Sequence, residues 1–245
     1  MAEPKAACRR IVLKLSGEAF GPADGAGIDP GNLERIAGRI KSVAALCPEM
    51  AVVIGGGNIV RGRDFADTGI SPVTADYMGM LATATNGLAL QDALTRIGVP
   101  AALQTALEMR AIAEAYVRAR CLAHLKKGRV VVLAAGTGNP HFSTDTAAAL
   151  RARELGAELL IKATNVDGVY SADPDKDKNA KKYEQVSYEQ VLEHKLRVMD
   201  LTAITLCMEG SIPIVVLNLY EDNGIERAIR GERVGTRISG ESHAR

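Results

Sequence analysis

The 245-residue chain carries 30 basic against 29 acidic residues, a net charge of +1, and this balance argues against the one-sided basic field of a nucleic-acid binder. It is 47% hydrophobic, enough for a sizeable core, yet only 4% aromatic and without tryptophan, which leaves few platforms for stacking bases. Cys8, Cys47, Cys121 and Cys207 are scattered with no Cys-x-x-Cys pair and no histidine at ligand spacing, which argues against a metal site or a disulfide framework. No apolar run reaches membrane-spanning length, and the stretch after Lys5, Arg9 and Arg10 is broken by Lys14 and Ser16, too early for a signal segment; a soluble cytoplasmic protein is expected.

Arg10 to Leu15 reads as a first strand that runs into Ser16-Gly17-Glu18. A lysine near the end of a buried strand is costly unless its ammonium meets an anion. Lys14 is therefore either a charge clamp or a side chain reaching past the sheet edge into water. Gly21 to Gly27 is a loop, and Asp29-Pro30 then signals a helix start, with Leu33, Ile36, Ile40, Val43 and Ala44 at helical spacing. Val52 to Ile54 is a buried strand that ends in Gly55, Gly56 and Gly57 before Asn58, which opens a helical turn, and Arg61. Residues without Cβ let backbone N–H groups approach a phosphate, and a bare strand-to-helix turn is the alternative. The β-α-β unit implies parallel strands, so both loops share the C-terminal edge of one sheet.

Thr74 to Ile97 predicts a long helix with Asp76 in its first turn. Asp76 is either a charge complementing the helix dipole or a ligand contact. The face formed by Met80, Ala84, Leu88 and Leu94 suits a subunit contact or packing on the protein's own sheet. Ala101 to Thr105 is a strand, Ile112 to Lys127 a helix, and Val130 to Ala135 a buried strand that empties into Gly136-Thr137-Gly138-Asn139-Pro140-His141-Phe142-Ser143-Thr144-Asp145 before the helix Thr146 to Leu155. This is a second polar wall at a helix N-terminus, where Asp145 is either a cap or a holder of a lysine or of phosphate-bound cations. His141 has no base partner or nucleophile at a recognisable spacing and reads as a binding-loop residue.

Leu159 to Lys162 is a strand leading to the loop from Thr164 to Pro174, in which Tyr170 and Asp173 suit a purine and a ribose, or simply an Asp-Pro turn. A charged loop from Asp173 to Lys182, a helix from Val198 to Met208, a strand from Ile214 to Leu217, a short helix from Gly224 to Arg230, a last edge strand from Thr236 to Ile238 and a mobile tail from Gly240 complete the chain. The pattern is α/β, a three-layer αβα sandwich around a mostly parallel sheet.

With these residues assembled, the sequence resembles the bacterial uridylate kinases of the amino-acid kinase superfamily. The resemblance is carried by Lys14-Leu15-Ser16-Gly17-Glu18, Gly55-Gly56-Gly57-Asn58 with Arg61-Gly62, Asp76-Tyr77-Met78-Gly79-Met80-Leu81-Ala82-Thr83, Thr137-Gly138-Asn139-Pro140, and Thr164 to Tyr170 with Asp173-Pro174. It implies the amino-acid kinase fold as a single domain over residues 1–245, with an N-terminal lobe at about 8–155 for UMP and a C-terminal lobe at about 156–240 for ATP. It further implies that Lys14, Leu15, Ser16, Gly17, Gly57 and Arg61 meet the ATP phosphates and that Thr164, Asn165, Tyr170 and Asp173 hold adenosine. UMP is expected against Gly56, Asp76, Thr137, Gly138, Asn139, Pro140, His141, Phe142, Ser143 and Thr144, with Lys14 and Asp145 as the catalytic pair, Asp145 positioning Lys14.

Also implied are magnesium carried with ATP, a homohexamer, activation by GTP through the loop Pro22, Ala23, Asp24, Gly25, Ala26 and Gly27, and inhibition by UTP. No membrane or nucleic-acid partner is expected. The rival readings are a superfamily relative phosphorylating a carboxylate or carbamate, and a non-catalytic nucleotide-binding assembly.

Overall fold

The computed structural model describes residues 8–23, 26–61, 65, 68–172, 177, 179–196 and 198–240. Asp24 and Gly25 of the expected effector loop, Gly62 and Arg63, Asp173 and Pro174, and the tail from Glu241 lie outside the described residues.

Strand β1 (Arg10–Leu15), helix α1 (Pro30–Leu46) and strand β2 (Glu49–Ile54) form the expected unit, with β1 and β2 parallel. Asp29 caps α1 by accepting a hydrogen bond from the Asn32 N–H at 2.7 Å, and Pro30 occupies the first helical position. Leu33, Ile36, Ala37, Ile40 and Val43 are buried, and each large aliphatic side chain among them contributes roughly 1.5–3 kcal/mol.

The long helix, α2 (Pro72–Arg96), starts earlier than the expected Thr74. Ser71 accepts from the Thr74 N–H at 3.2 Å and Pro72 opens the first turn, so Asp76 stands in the second turn, away from the orphan N–H groups. Ala84 and Leu94 are buried in the core against the protein's own sheet, the second of the two roles considered for this face, and Met80 is buried as well; Leu88 does not share their burial. The exposed apolar stripe is Val73, Tyr77, Leu81 and Leu88.

Strands β3 (Ala101–Thr105), β4 (Glu114–Ala115) and β5 (Val130–Ala134) extend the sheet, and helix α3 covers only Arg118–Lys126. The expected helix from Ile112 is therefore wrong in its first half. Glu114 and Ala115 pair with Gln104 and Thr105, and the Tyr116 N–H donates to the Thr105 carbonyl at 2.9 Å, so β3 takes this segment as an edge strand.

Helix α4 (Thr144–Leu155) follows, then β6 (Leu159–Thr164), a hairpin of β7 (Val169–Tyr170) and β8 (Lys182–Tyr183), β9 (Gln185–Ser187), α5 (Tyr188–Glu193), α6 (Leu201–Glu209), β10 (Ile214–Asn218), α7 (Gly224–Ile229) and β11 (Thr236–Ser239). The helix expected from Val198 begins at Leu201, because Asp200 is its cap and accepts from the Ala203 N–H at 3.0 Å.

Among the described residues the central sheet has nine strands in the order β4-β3-β5-β2-β1-β6-β10-β11-β9. Every pairing is parallel except β10 with β11. Strand β11 is not an edge strand as expected, since β9 pairs on its outer side. Helices α1, α2 and α7 cover one face and α3 to α6 the other, which gives the three layers. From β1 the chain winds outward through β2 and later through β6 on the opposite side. That reversal opens a crevice at the C-terminal ends of β1, β2 and β6.

Candidate active site

Alternation along the strands decides which side chains enter the crevice. In β1, Ile11, Leu13 and Leu15 face the α1 side, so Lys14 faces α4; in β6, Leu159, Ile161 and Ala163 face the α1 side, so Lys162 also faces α4. Lys14 and Lys162 are register partners across the parallel pair. Between them comes Asp145 from the first turn of α4, with Oδ1 2.8 Å from the Lys14 Nζ and Oδ2 2.7 Å from the Lys162 Nζ. The lysine side chains are only 7% and 13% exposed, and the carboxylate 14%.

Burial by itself raises the Asp145 carboxyl, but Lys14 and then Lys162 outweigh it and hold it below the usual carboxylate range. Burial, with Lys14 close by, pushes the Lys162 ammonium below its ordinary value despite Asp145. The cluster holds two cations against one anion in a nearly dry place, a cavity wall made for added negative charge. Lys162, which also donates to the Val198 carbonyl, is a site residue that the sequence reading passed over.

The glycine turn departs from expectation in two ways. Asn58 lies in a single turn, with the Ile59 and Val60 N–H groups both donating to Gly56 at 3.0 Å, and does not open a helix. The missing Cβ atoms first serve protein packing: a Cβ on Gly17 would lie 2.3 Å from the Gly57 nitrogen, and one on Gly56 would lie 2.8 Å from the Gly79 carbonyl oxygen. The loop after β1 and the loop after β2 thus touch through backbone, and α2 leans directly on the second. Arg61 stands at this junction, its Nε donating to the Gly57 carbonyl at 2.8 Å and its guanidinium 3.5 Å from Glu18.

Helix α2 braces both polar walls from its buried side. Asn86 donates to the Gly55 carbonyl at 2.8 Å and to Asn58 Oδ1 at 2.7 Å, while Asn58 Nδ2 donates to the Gly27 carbonyl at 2.8 Å. One turn earlier, Thr83 Oγ1 accepts from the Ala135 N–H at 2.6 Å, where the chain takes a left-handed turn of φ 61° into residues 136–144. We expect Asn86→Leu to cost about 2–3 kcal/mol, because it removes the donor to both the Gly55 carbonyl and Asn58 Oδ1 in a dry place. Urea melts against the wild type measure this, and a change within error shows that the braces carry no stability.

Asp76 accepts from the His141 N–H at 2.7 Å, so the structure brings Asp76 and residues 137–144 together. Ser143 caps α4 by accepting from the Asp145 and Thr146 N–H groups at 3.0 and 3.2 Å, and its hydroxyl donates to Asp200. Thr146 Oγ1 donates to the same carboxylate at 2.7 Å, so Asp200, also missed in the sequence, fixes the start of α4 against α6.

On the other side of Lys162 lies a cavity of about 610 Å³, lined among others by Thr164, Gly168, Tyr170, Leu196 and Val198. Asn165 does not line it. That residue faces a second cavity of about 710 Å³ with Glu18, Arg61, Asn58 and Tyr220, so the four residues expected at adenosine are not all brought together. Asp173 lies outside the described residues.

Residues 9–218 match the Amino acid kinase family. The chain belongs to this family. Among solved structures, this amino acid kinase family member is similar to the UMP kinase from Bacillus anthracis, at 36% identity over 96% of this chain and 97% of that one, with a TM-score of 0.93. It is also similar to the UMP kinase from Ureaplasma parvum, at 34% identity, 94% and 98% coverage and a TM-score of 0.89. The uridylate kinase from Archaeoglobus fulgidus aligns at 32% identity over 94% of this chain and 100% of that one, with a TM-score of 0.71.

Proposed function

We propose that this chain is a UMP kinase, transferring the γ-phosphoryl group of Mg-ATP to the phosphate of UMP to give UDP and ADP. The observation that carries this reading is the Lys14–Asp145–Lys162 cluster, set between the polar wall at residues 136–144 and the 610 Å³ cavity. The likeness to UMP kinases over nearly the whole chain supports UMP as acceptor.

Adenosine occupies the 610 Å³ cavity in the C-terminal lobe, beside Thr164 and Tyr170. Its phosphates run past Lys162 to Lys14, Leu15, Ser16, Gly17, Gly57 and Arg61. UMP lies in the N-terminal lobe against Gly56, Asp76 and residues 137–144. Its phosphate, with a second pKa near 6, is already largely dianionic at neutral pH and attacks without a general base.

What opposes reaction is repulsion between two anions. A single pair of unit charges 4 Å apart repels by about 4 kcal/mol at an effective dielectric of about 20. Lys14 and Lys162 offset this, and the N-terminus of α4 adds partial positive charge to the same wall. Asp145 touches both ammonium groups and sets where they stand.

Magnesium enters as part of the substrate. Among the described residues no three His, Cys, Asp or Glu side chains converge as a metal cage, and both Asp145 oxygens hold lysines, so we assign the ion to the ATP phosphates.

We extend the reading to a homohexamer in which the exposed stripe Val73, Tyr77, Leu81 and Leu88 of α2 meets a second copy, to GTP activation and UTP inhibition, and to a cytoplasmic location. The bonds from Asn58 to Gly27 offer a route from the Pro22 to Gly27 loop to the glycine turn. Among the described residues no helix is long and apolar enough to cross a membrane.

The test is coupled ADP release with Mg-ATP across UMP, CMP, dTMP, aspartate, N-acetylglutamate and carbamate, with and without GTP. Strong preference for UMP is expected. Turnover of a carboxylate or carbamate in its place overturns the acceptor assignment, and ATP binding without any turnover overturns the catalytic one.

A further inference from the structure

Strand β11 lies beyond the family match, which ends at residue 218, yet it bears on the proposed ATP cavity. Thr236 opens this strand and is fully buried. The residue before it, Gly235, has φ 59° and passes so close to β10 that a Cβ there would lie 2.0 Å from the Val216 carbonyl oxygen. The entry of β11 is thereby seated on the sheet with no room to shift.

From this fixed point the Thr236 hydroxyl accepts a hydrogen bond from the Val169 N–H at 2.8 Å and donates to the Tyr183 carbonyl. Val169 and Tyr183 are register partners in the β7–β8 hairpin. One hydroxyl therefore holds both strands of the hairpin at the same rung. Contact is close at the neighbouring residue as well, where a Cβ on Gly168 would lie 2.6 Å from Thr236 Oγ1. The hairpin supplies Gly168, Val169 and Tyr170 to one wall of the 610 Å³ cavity, while Lys162 and Val216 of the sheet line it as well.

We propose that Thr236 is a positioning residue for the donor nucleotide: its hydroxyl sets the height of the β7–β8 hairpin over the sheet and so the width of the cavity that receives adenosine. Thr236 itself does not line that cavity. The inference rests on the assignment of that cavity to ATP. A two-stranded hairpin has little stability of its own, so its seat must come from a neighbour, and Thr236 bonds to backbone atoms of both strands.

The test compares Thr236→Val, which keeps shape and volume but removes the hydroxyl, with Thr236→Ser, which keeps the hydroxyl. Thr236→Ala, which leaves room for a water at the vacated place, serves if the valine variant does not fold. Each is assayed with ATP varied at saturating UMP and with UMP varied at saturating ATP, and ATP is titrated calorimetrically without UMP. The expected result is a rise of about tenfold in KM and Kd for ATP in the valine variant. KM for UMP and kcat stay within about twofold, the alanine variant is intermediate, and the serine variant returns to wild-type values. Unchanged ATP binding in the folded valine or alanine variant, an equal rise for both substrates, or failure of serine to restore overturns the proposal. Wild-type protein that binds ATP but does not turn over UMP overturns the kinase reading alone, because the calorimetric comparison still tests the hairpin's seat.

Discussion

Replacing Lys14 with Met lowers kcat by about three orders of magnitude, or ~4 kcal/mol, and leaves the melting temperature close to that of the wild type. The cluster holds two ammonium groups against one carboxylate, so removing one cation leaves Asp145 paired with Lys162 at 2.7 Å as a neutral pair. The methionine stem refills much of the lysine's volume in a site only 7% exposed, so no large void is left. On the proposed mechanism, what is lost is a charge facing the phosphoryl group in flight. Steady-state turnover together with thermal melts checks both halves; retained turnover removes Lys14 from the mechanism, and an unfolded variant assigns it to the fold.

Asp145→Asn goes wrong in the opposite way. It leaves two lysines side by side, 7% and 13% exposed, with no anion between them, and we expect a loss of about 3–5 kcal/mol of stability as well as of activity. The pH dependence separates this from an ordinary packing defect. In the wild type the Asp145 carboxyl titrates below its ordinary 3.8, so its contribution is fully present above that value and is lost as pH falls through the lower folded value. The asparagine variant lacks this acid-side loss. Its Lys162, already held below the ordinary 10.5 by burial, loses its hydrogen-bonded carboxylate, keeps only the weaker pull of Asp200 among the groups acting on it, and binds fewer protons folded than unfolded over a wider range than in the wild type, so stability rises as pH climbs toward 10.5. Melts from about pH 3 to about pH 10 measure both limbs. A variant whose pH profile parallels the wild type's shows that the carboxylate does not hold the lysines.

The elements legible in the sequence were those that announce themselves locally. Strands β1, β5, β6 and β10 are apolar runs that end in turns, and α1 carries its Asp29-Pro30 start. Ser71-Pro72 is the same signal at the start of α2, a capping hydroxyl followed by proline at the first helical position. On α2, Leu88 departs from the face it shares in sequence with Ala84 and Leu94 because it lies about 80° around the axis from Met80, off the buried stripe. Strands β4, β7, β8 and β9 are two or three residues long, and what makes them strands is the partner supplied from elsewhere in the chain, which no local pattern records.

The site divides in the same manner. Lys14 was legible as a lysine at the end of an apolar strand, and Lys162 in Leu-Leu-Ile-Lys-Ala-Thr is the same signal, repeated and passed over. Asp145 was legible as an acid at a helix start, but not its double engagement, since that depends on β1 and β6 being neighbours. Asn86 and Thr83 read as ordinary helix residues, because their partners in the two polar walls are loop residues 28 to 52 positions away.

Because Lys14 and Lys162 sit at paired positions of adjoining strands, the gap between their backbones is the inter-strand spacing, about 4.8 Å, a dimension that every parallel sheet reproduces. The charge spacing is thus inherited from the architecture. The loops that meet each substrate can lengthen, shorten or change composition without retuning it, which is how one scaffold can be recut for a different phosphoryl acceptor while its electrostatic centre stays as it is.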